Sequence, residues 1–325
     1  MKYKYQSNFK EYIIGLLEQK HSLGFPYRVS EEILYRFDRL CFEHFPHENQ
    51  LTKEIGLSFA VINPTEKASS FQNRLAPIRE LAKYMNRLGI NAYVIPTEIS
   101  PKEKQRAVPH VFTDRELKLF FSASDKLVWN ERCRMRHLAV PVIFRLMYCC
   151  GLRPTEVRVL KTENIDFSSG ILKIEESKGH KDRMVVMSDD VLVLCRKYYA
   201  LVQNDDLQSD YFFPAQIEHG NCYTGNWLRK MFKLCWDESG IDNYCGNSPR
   251  PYDFRHTFAT KKLYEWMKAG KDLETMLPYL SAYMGHTKFS HTAYYIHLVP
   301  EIFPYMSQID LGTFEGLIPE VEYDF

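Results

Sequence analysis

The chain of 325 residues and 38.4 kDa exceeds the usual size of one hydrophobic core, so two domains joined by a linker are expected. Hydrophobic residues at 45% and charged residues at 26% are ordinary globular values and exclude an extensively disordered chain. The net charge of +1 conceals an uneven distribution: residues 299–325 hold six acids and no Lys or Arg, leaving 42 basic against 35 acidic residues before them, an excess that permits a polyanionic partner without requiring one.

Apolar positions at helical spacing fill Phe9 to Gln19, Glu31 to Cys41, Leu57 to Ile62 and Ala68 to Leu88, which predicts a small helical domain over residues 1–100. In the last of these a kink or restart is expected at Pro77. Arg79, Lys83 and Arg87 recur there at i, i+4 and i+8, leaving Ile78, Leu81, Met85 and Leu88 for a core. Such a stripe, joined by Arg74, is ordinarily a solvated face; the alternative is a surface that tracks phosphates. Residues 101–109 are polar and bounded by Pro101 and Pro109, as a linker should be.

A second domain is expected over 110–300. Thr113 can cap a helix from Asp114 to Ser122, with Glu116 in capping-box position, and a longer buried helix runs from about Leu138 to Cys150. Ile165 to Phe167, Ile171 to Glu175 and Met184 to Met187 are short β-prone runs separated by turns, which predicts a three-stranded antiparallel sheet. From Val191 the pattern is helical again, with an amphipathic helix from Trp227 to Trp236 carrying Arg229, Lys230 and Lys233. The fold class is therefore mainly α with a small antiparallel β-sheet.

Eight cysteines without a C-x-x-C pair and an N-terminus lacking an apolar signal region point to a cytoplasmic location. The most apolar stretch, Leu138 to Leu152, falls short of the ~20 residues a membrane span needs. Histidines and cysteines show no metal-ligand spacing, so neither metal nor other cofactor is expected.

Four segments carry groups suited to a phosphodiester. Gly151-Leu152-Arg153-Pro154-Thr155-Glu156 reads as a C-cap glycine followed by a new helix that holds Arg153 at its N-terminus. Ser177-Lys178-Gly179-His180 places a lysine in a turn between two strands. Pro251-Tyr252-Asp253-Phe254-Arg255-His256 offers a second guanidinium for bidentate contact with phosphate oxygens. Gly285-His286 is followed by Thr292-Ala293-Tyr294-Tyr295-Ile296-His297. Each segment taken alone is weak: a surface arginine, a solvated turn lysine and a core aromatic pair are the ordinary readings.

Together and in this order, from about Val108 to His297, they resemble the tyrosine recombinase (phage integrase) family, whose motif set is Arg, Lys, His-x-x-Arg, Gly-His and Thr-x-x-Tyr-x-His. The resemblance implies a site-specific enzyme that cleaves and rejoins DNA through a 3′-phosphotyrosine. Arg153 and Arg255 would bind the scissile phosphate, Lys178 would protonate the departing 5′-oxygen, His286 would hydrogen-bond the phosphate and Tyr295 would be the nucleophile. Glu156 would orient its neighbours, or else serve only as a first-turn acid. Lys181 and Arg183 stand near enough to replace Lys178. Tyr294 competes with Tyr295, but the spacing from Thr292 to His297 selects Tyr295. One departure is Tyr252, which occupies the usual histidine position; a phenol can donate a hydrogen bond to phosphate but is a poor base near neutral pH.

The resemblance also implies a helical DNA-clamping domain over 1–100, double-stranded DNA with specific recombination sites as partner, and a homo-tetramer on DNA, with partner recombinases an open alternative. The apolar and acidic tail, 301–325, would dock on a neighbouring protomer or cover its own chain. Integration, excision, transposition and multimer resolution all remain open uses. Two other readings stand beside this one: a catalytically silent DNA-binding protein on the same fold, and a topoisomerase-like enzyme that relaxes DNA as a monomer.

Overall fold

The computed structural model describes residues 3–99, 108–175, 182–202, 209–215, 222–241 and 248–298, which fall into two compact units, one up to residue 99 and one from residue 108. The first contains four helices: α1 (Lys10–Ser22), α2 (Arg28–His44), α3 (Lys53–Phe59) and α4 (Ala68–Arg87). Their apolar stripes meet in one core, built from Phe9, Ile13 and Leu17 around α1, Leu34, Phe37 and Cys41 of α2, and Leu75, Ile78, Leu81 and Met85 of α4. Spacing of three and four residues puts each set on one helix face. Asp38, fully buried, accepts hydrogen bonds from the backbone N–H of Gln6 and Ser7 and from the Ser7 hydroxyl, which ties the segment before α1 to α2.

Two details differ from the sequence pattern. α3 begins at Lys53 rather than Leu57, because Thr52 caps it by accepting from the Ile55 N–H at 3.3 Å, a signal the apolar period does not carry. α4 runs unbroken through Pro77. Pro77 is buried, so apolar burial offsets part of the hydrogen bond it forfeits.

In the second unit α5 (Asp114–Asp125) starts with the expected capping box, Thr113 with Glu116. Buried α6 (Arg136–Cys149) and the single turn α7 (Pro154–Arg158) follow. Strands β1 (Ile165–Asp166), β2 (Ile171–Ile174) and β3 (Arg183–Val186) form an antiparallel sheet in that order, with Leu172 opposite both Ile165 and Val185. Then come α8 (Asp189–Val202), α9 (Gly225–Glu238), α10 (Asp253–Lys268), α11 (Leu273–Met284) and α12 (Ser290–Ala293), the last continued by a 3-10 turn over Tyr294–Leu298.

An aromatic cluster of Phe112, Phe120, Phe144, Phe232 and Phe254 joins α5, α6, α9 and α10, with ring centroids 4.7–6.3 Å apart. Phe254 lies at its centre and anchors the start of α10. A smaller core of Phe258, Leu263, Leu277, Leu280 and Met284 gathers α10 and α11 around Tyr295 and Ile296. Among the described residues no helix is long and apolar enough to cross a membrane.

Candidate active site

Two glycines set the site. After α6, Gly151 takes φ +62°, a left-handed conformation that ends a helix at little steric cost only for glycine. A Cβ there would meet the Phe258 ring at 2.7 Å. The chain then delivers Arg153 to the start of α7. With five residues, α7 is too short for its dipole to hold an anion, so the positive charge belongs to side chains rather than to the helix terminus expected from the sequence.

The second glycine, Gly285 at φ +61°, ends α11 and leaves the final carbonyls of that helix without intrahelical partners. Three arginines from three other segments take them in succession. Arg183 Nε donates to the Tyr283 carbonyl at 2.8 Å, Arg255 Nη2 to that of Met284, and Arg153 Nη2 to that of Gly285 at 2.7 Å. The negative end of a helix dipole favours cations. The end of α11 therefore gathers the guanidiniums.

Glu156, 5% exposed, accepts from Arg153 N at 2.8 Å and Arg153 Nη1 at 2.6 Å, and from both Arg183 Nη atoms at 2.8 Å. Burial alone would raise its pKa. Arg183, and then Arg153, outweigh burial and hold the carboxyl at about 2. Arg255 is fully buried and, among the described residues, has no carboxylate ion pair. Its Nη1 donates to the Gly151 carbonyl at 2.6 Å, and its Nε has no partner. Burial, followed by repulsion from Arg153, lowers its pKa to about 10. Two guanidiniums thus share one carboxylate, and the third is held by carbonyl oxygens.

His286 lies between Arg255 and α12. Its Nε2 is 3.3 Å from Arg255 Nη2 and its Nδ1 is 2.7 Å from the Thr292 hydroxyl. A guanidinium can only donate, so Nε2 accepts and the ring proton is assigned to Nδ1. Burial, then Arg255 and Arg153, depress its pKa to about 3, which keeps the ring neutral near pH 7. Tyr295, 2% exposed, stacks near His286 with centroids 6.0 Å apart and lies 5.5 Å from the His256 ring. Burial pushes the phenol up to about 12, against the opposing pull of Arg255.

The structure brings Arg153, Glu156, Arg255, His286 and Tyr295 into one cluster. Tyr252 borders it at the start of α10, one-third exposed, its ring 5.0 Å from that of His256. Lys178 and Lys181 lie outside the described residues, as do residues 299–325 of the tail. Arg183 does not stand in for Lys178: its Nε and both Nη atoms are committed to Tyr283 and Glu156.

The basic residues divide. Arg229, Lys230 and Lys233 are exposed on α9, and Lys83 and Arg87 on α4. Arg79 is 5% exposed and donates to the carbonyls of Ile95 and Pro96 and to Gln72, so the expected stripe loses its first member to the interior of the unit. Arg74 is drawn inward too, bound to Glu66 and the Phe59 and Val61 carbonyls.

Sequence reasoning missed His256 and the carbonyl row of α11. His256 follows Arg255 directly; its buried Nδ1 has no partner, and burial lowers its pKa to about 4. No spacing rule singles it out, since one residue along a helix turns the side chain by about 100°. Among the described residues no group of three or more His, Cys, Asp or Glu side chains could hold a metal ion.

The phage integrase family model matches residues 110–301. "Putative integrase/recombinase y4rB" of Sinorhizobium fredii is 28% identical over 302 residues, covering 91% of this chain and 95% of the relative. Tyrosine recombinase XerD of Vibrio vulnificus is 27% identical over 248 residues, covering 74% and 73%. Among solved structures, the XerH site-specific recombinase bound to palindromic difH substrate superposes with a TM-score of 0.62 at 17% identity, over 87% of this chain and 79% of that one. The Tn1549 transposon integrase in complex with transposon right-end DNA gives 0.60 at 13% identity, over 87% and 94%. A family model that spans more than half of the chain, over the segment that holds the clustered arginines, histidine and tyrosine, shows that the protein belongs to the phage integrase family of tyrosine recombinases.

Proposed function

We propose that the protein is a site-specific tyrosine recombinase that cuts and rejoins double-stranded DNA through a 3′-phosphotyrosine at Tyr295. One observation carries this reading: a fully buried guanidinium, Arg255, has no carboxylate partner among the described residues and lies against a buried tyrosine. A buried charge without a counter-charge is costly, and a phosphodiester oxygen supplies that counter-charge where the phenol can attack.

In this reaction Arg153 and Arg255 hold the non-bridging oxygens, where transition-state charge develops. His286 bonds the phosphate through Nε2, which must first gain a proton; the arriving anion favours that charged form. As the Tyr295 oxygen bonds to phosphorus its phenol proton passes to solvent, the bond from phosphorus to the 5′-oxygen breaks, Lys178 delivers a proton to that departing oxygen, and Tyr252 donates a hydrogen bond from the edge of the site. The phosphotyrosine retains the energy of the broken bond, so a DNA hydroxyl can displace Tyr295 and reseal the strand without a nucleotide cofactor. Arg229, Lys230 and Lys233 on α9, with Lys83 and Arg87 on α4, are the exposed cations for the DNA backbone. Assembly of four protomers on two sites is part of the same proposal.

The test is covalent trapping. Wild type and Tyr295→Phe are incubated with nicked, labelled DNA from the ends of the protein's own genetic element, then denatured in detergent. An adduct formed by wild type and by Tyr294→Phe but not by Tyr295→Phe supports the proposal. No adduct on any such DNA favours a silent DNA-binding protein, and relaxation of supercoils without a specific site favours a topoisomerase-like enzyme.

A further inference from the structure

Arg183 belongs to none of the motif segments, and it sits 27 residues from Glu156 and 100 from Tyr283, yet it binds both. Its side chain is 6% exposed and that of Glu156 is 4% exposed. The contact is the parallel two-bond geometry in which a guanidinium fits a carboxylate best. Its third nitrogen donates to the Tyr283 carbonyl, two residues before Gly285.

The glycine itself is shaped around this arginine. A Cβ on Gly285 would come within 3.1 Å of Arg183 Cδ, 3.2 Å of Nη1 and 3.4 Å of Nε. Gly285 is therefore required twice, for its left-handed φ and for the passage of Arg183 beneath the turn that carries His286. The guanidinium also fixes Glu156, which in turn holds Arg153 through the Arg153 N–H and Nη1.

We propose that Arg183 is a positioning residue for strand cleavage, acting through Glu156 on Arg153 and through the Tyr283–Gly285 turn on His286. It does not touch the phosphate. Strand β3 thereby registers two phosphate-contacting groups that come from α7 and from the end of α11. A lysine at this position keeps the charge but offers no planar fork, so it can bind one carboxylate oxygen or the carbonyl but cannot hold both groups in register. Displacement of a reacting group by about 1 Å costs on the order of 100-fold in rate.

This inference rests on the recombinase reading, so the experiment begins with wild-type protein on its nicked DNA. Failure of wild type to form an adduct overturns that reading and this assignment with it. Where wild type reacts, the rate of adduct formation at saturating protein is measured for Arg183→Lys, Glu156→Gln and the double variant, together with the DNA dissociation constant and the folded fraction. We expect each single variant to lose on the order of 10- to 100-fold in rate with less than a twofold change in DNA affinity. The double variant should lose no more than the worse single, because both break one chain of contacts. A wild-type rate for Arg183→Lys overturns the assignment. Full additivity in the double variant overturns it too, as does a rate loss matched by an equal loss of folded protein or of affinity. Should Arg183→Lys fold poorly, Glu156→Gln carries the same test, a wild-type rate there being equally fatal.

Discussion

Replacing Glu156 with glutamine keeps the side-chain volume and removes the carboxylate that Arg153 and Arg183 share. The displacement of this carboxyl from its ordinary ~4.3 to about 2 corresponds to about 3 kcal/mol of folding stability at neutral pH. Because the folded-state pKa is lowered, that stability is complete above the unfolded value and is lost as pH falls from about 4.5 towards 2. All four tryptophans, Trp129, Trp227, Trp236 and Trp266, lie in the second unit, so their fluorescence during urea unfolding reports on that unit. At pH 7 Glu156→Gln should be less stable than wild type by about 3 kcal/mol, and the gap should narrow as the measurement moves to pH 3. A gap under about 0.5 kcal/mol at pH 7, within the range of ordinary surface substitutions, would refute the claim that this carboxylate is held by two guanidiniums. A gap that stays constant down to pH 3 would do the same.

Further outcomes follow from the same geometry. Gly285→Ala forces a Cβ onto Arg183 at a positive φ, so stability should fall by about 1–3 kcal/mol and adduct formation should fall with it; unchanged urea midpoint and rate would contradict the crowding. Arg79→Ala should lower the melting temperature of the first unit and Arg87→Ala should leave it unchanged, since the first removes a buried side chain that binds the Ile95 and Pro96 carbonyls while the second is exposed; calorimetry distinguishes them, and equal effects would contradict the burial. His256 and His286 are held below the ordinary histidine value, near 4 and 3, so the unfolded chain takes up protons that the folded one refuses. Their stability contribution is complete above about pH 6.5 and declines as pH falls towards these values. In unfolding at pH 7 and pH 5, His286→Gln should show a smaller loss between the two than wild type; an identical loss would count against a buried neutral ring.

Much of the site was legible in the sequence because its chemistry is concentrated in short, self-marking segments. Gly151 and Gly285 are helix terminators whose left-handed φ is demanded locally, and each stands within two residues of a phosphate-contacting candidate, Arg153 and His286. Thr113 with Glu116 announced α5, and the short β-prone runs after Ile165, separated by turns, announced the sheet. What was not legible depends on partners far away in the chain. The burial of Arg79 comes from carbonyls at Ile95 and Pro96, beyond the end of its own helix, and a helical wheel treats it as one more solvated cation. Arg183 looked like a spare lysine substitute because sequence proximity to Lys178 is visible, whereas its contact with Tyr283 spans 100 residues. Pro77 was expected to kink or restart a helix that is continuous from Ala68 to Arg87.

The carbonyl row at the end of α11 has a consequence for how the centre responds to its surroundings. Arg255 is held by the oxygens of Gly151 and Met284 rather than by a carboxylate, and neutral dipoles inside a protein are hardly touched by dissolved ions, which act on exposed charges over a Debye length of about 8 Å in physiological salt. The free protein can therefore keep its guanidiniums in place across a wide range of ionic strength, while its exposed α9 cations feel every change. On the proposed function, salt would regulate arrival on DNA without loosening the centre that awaits it.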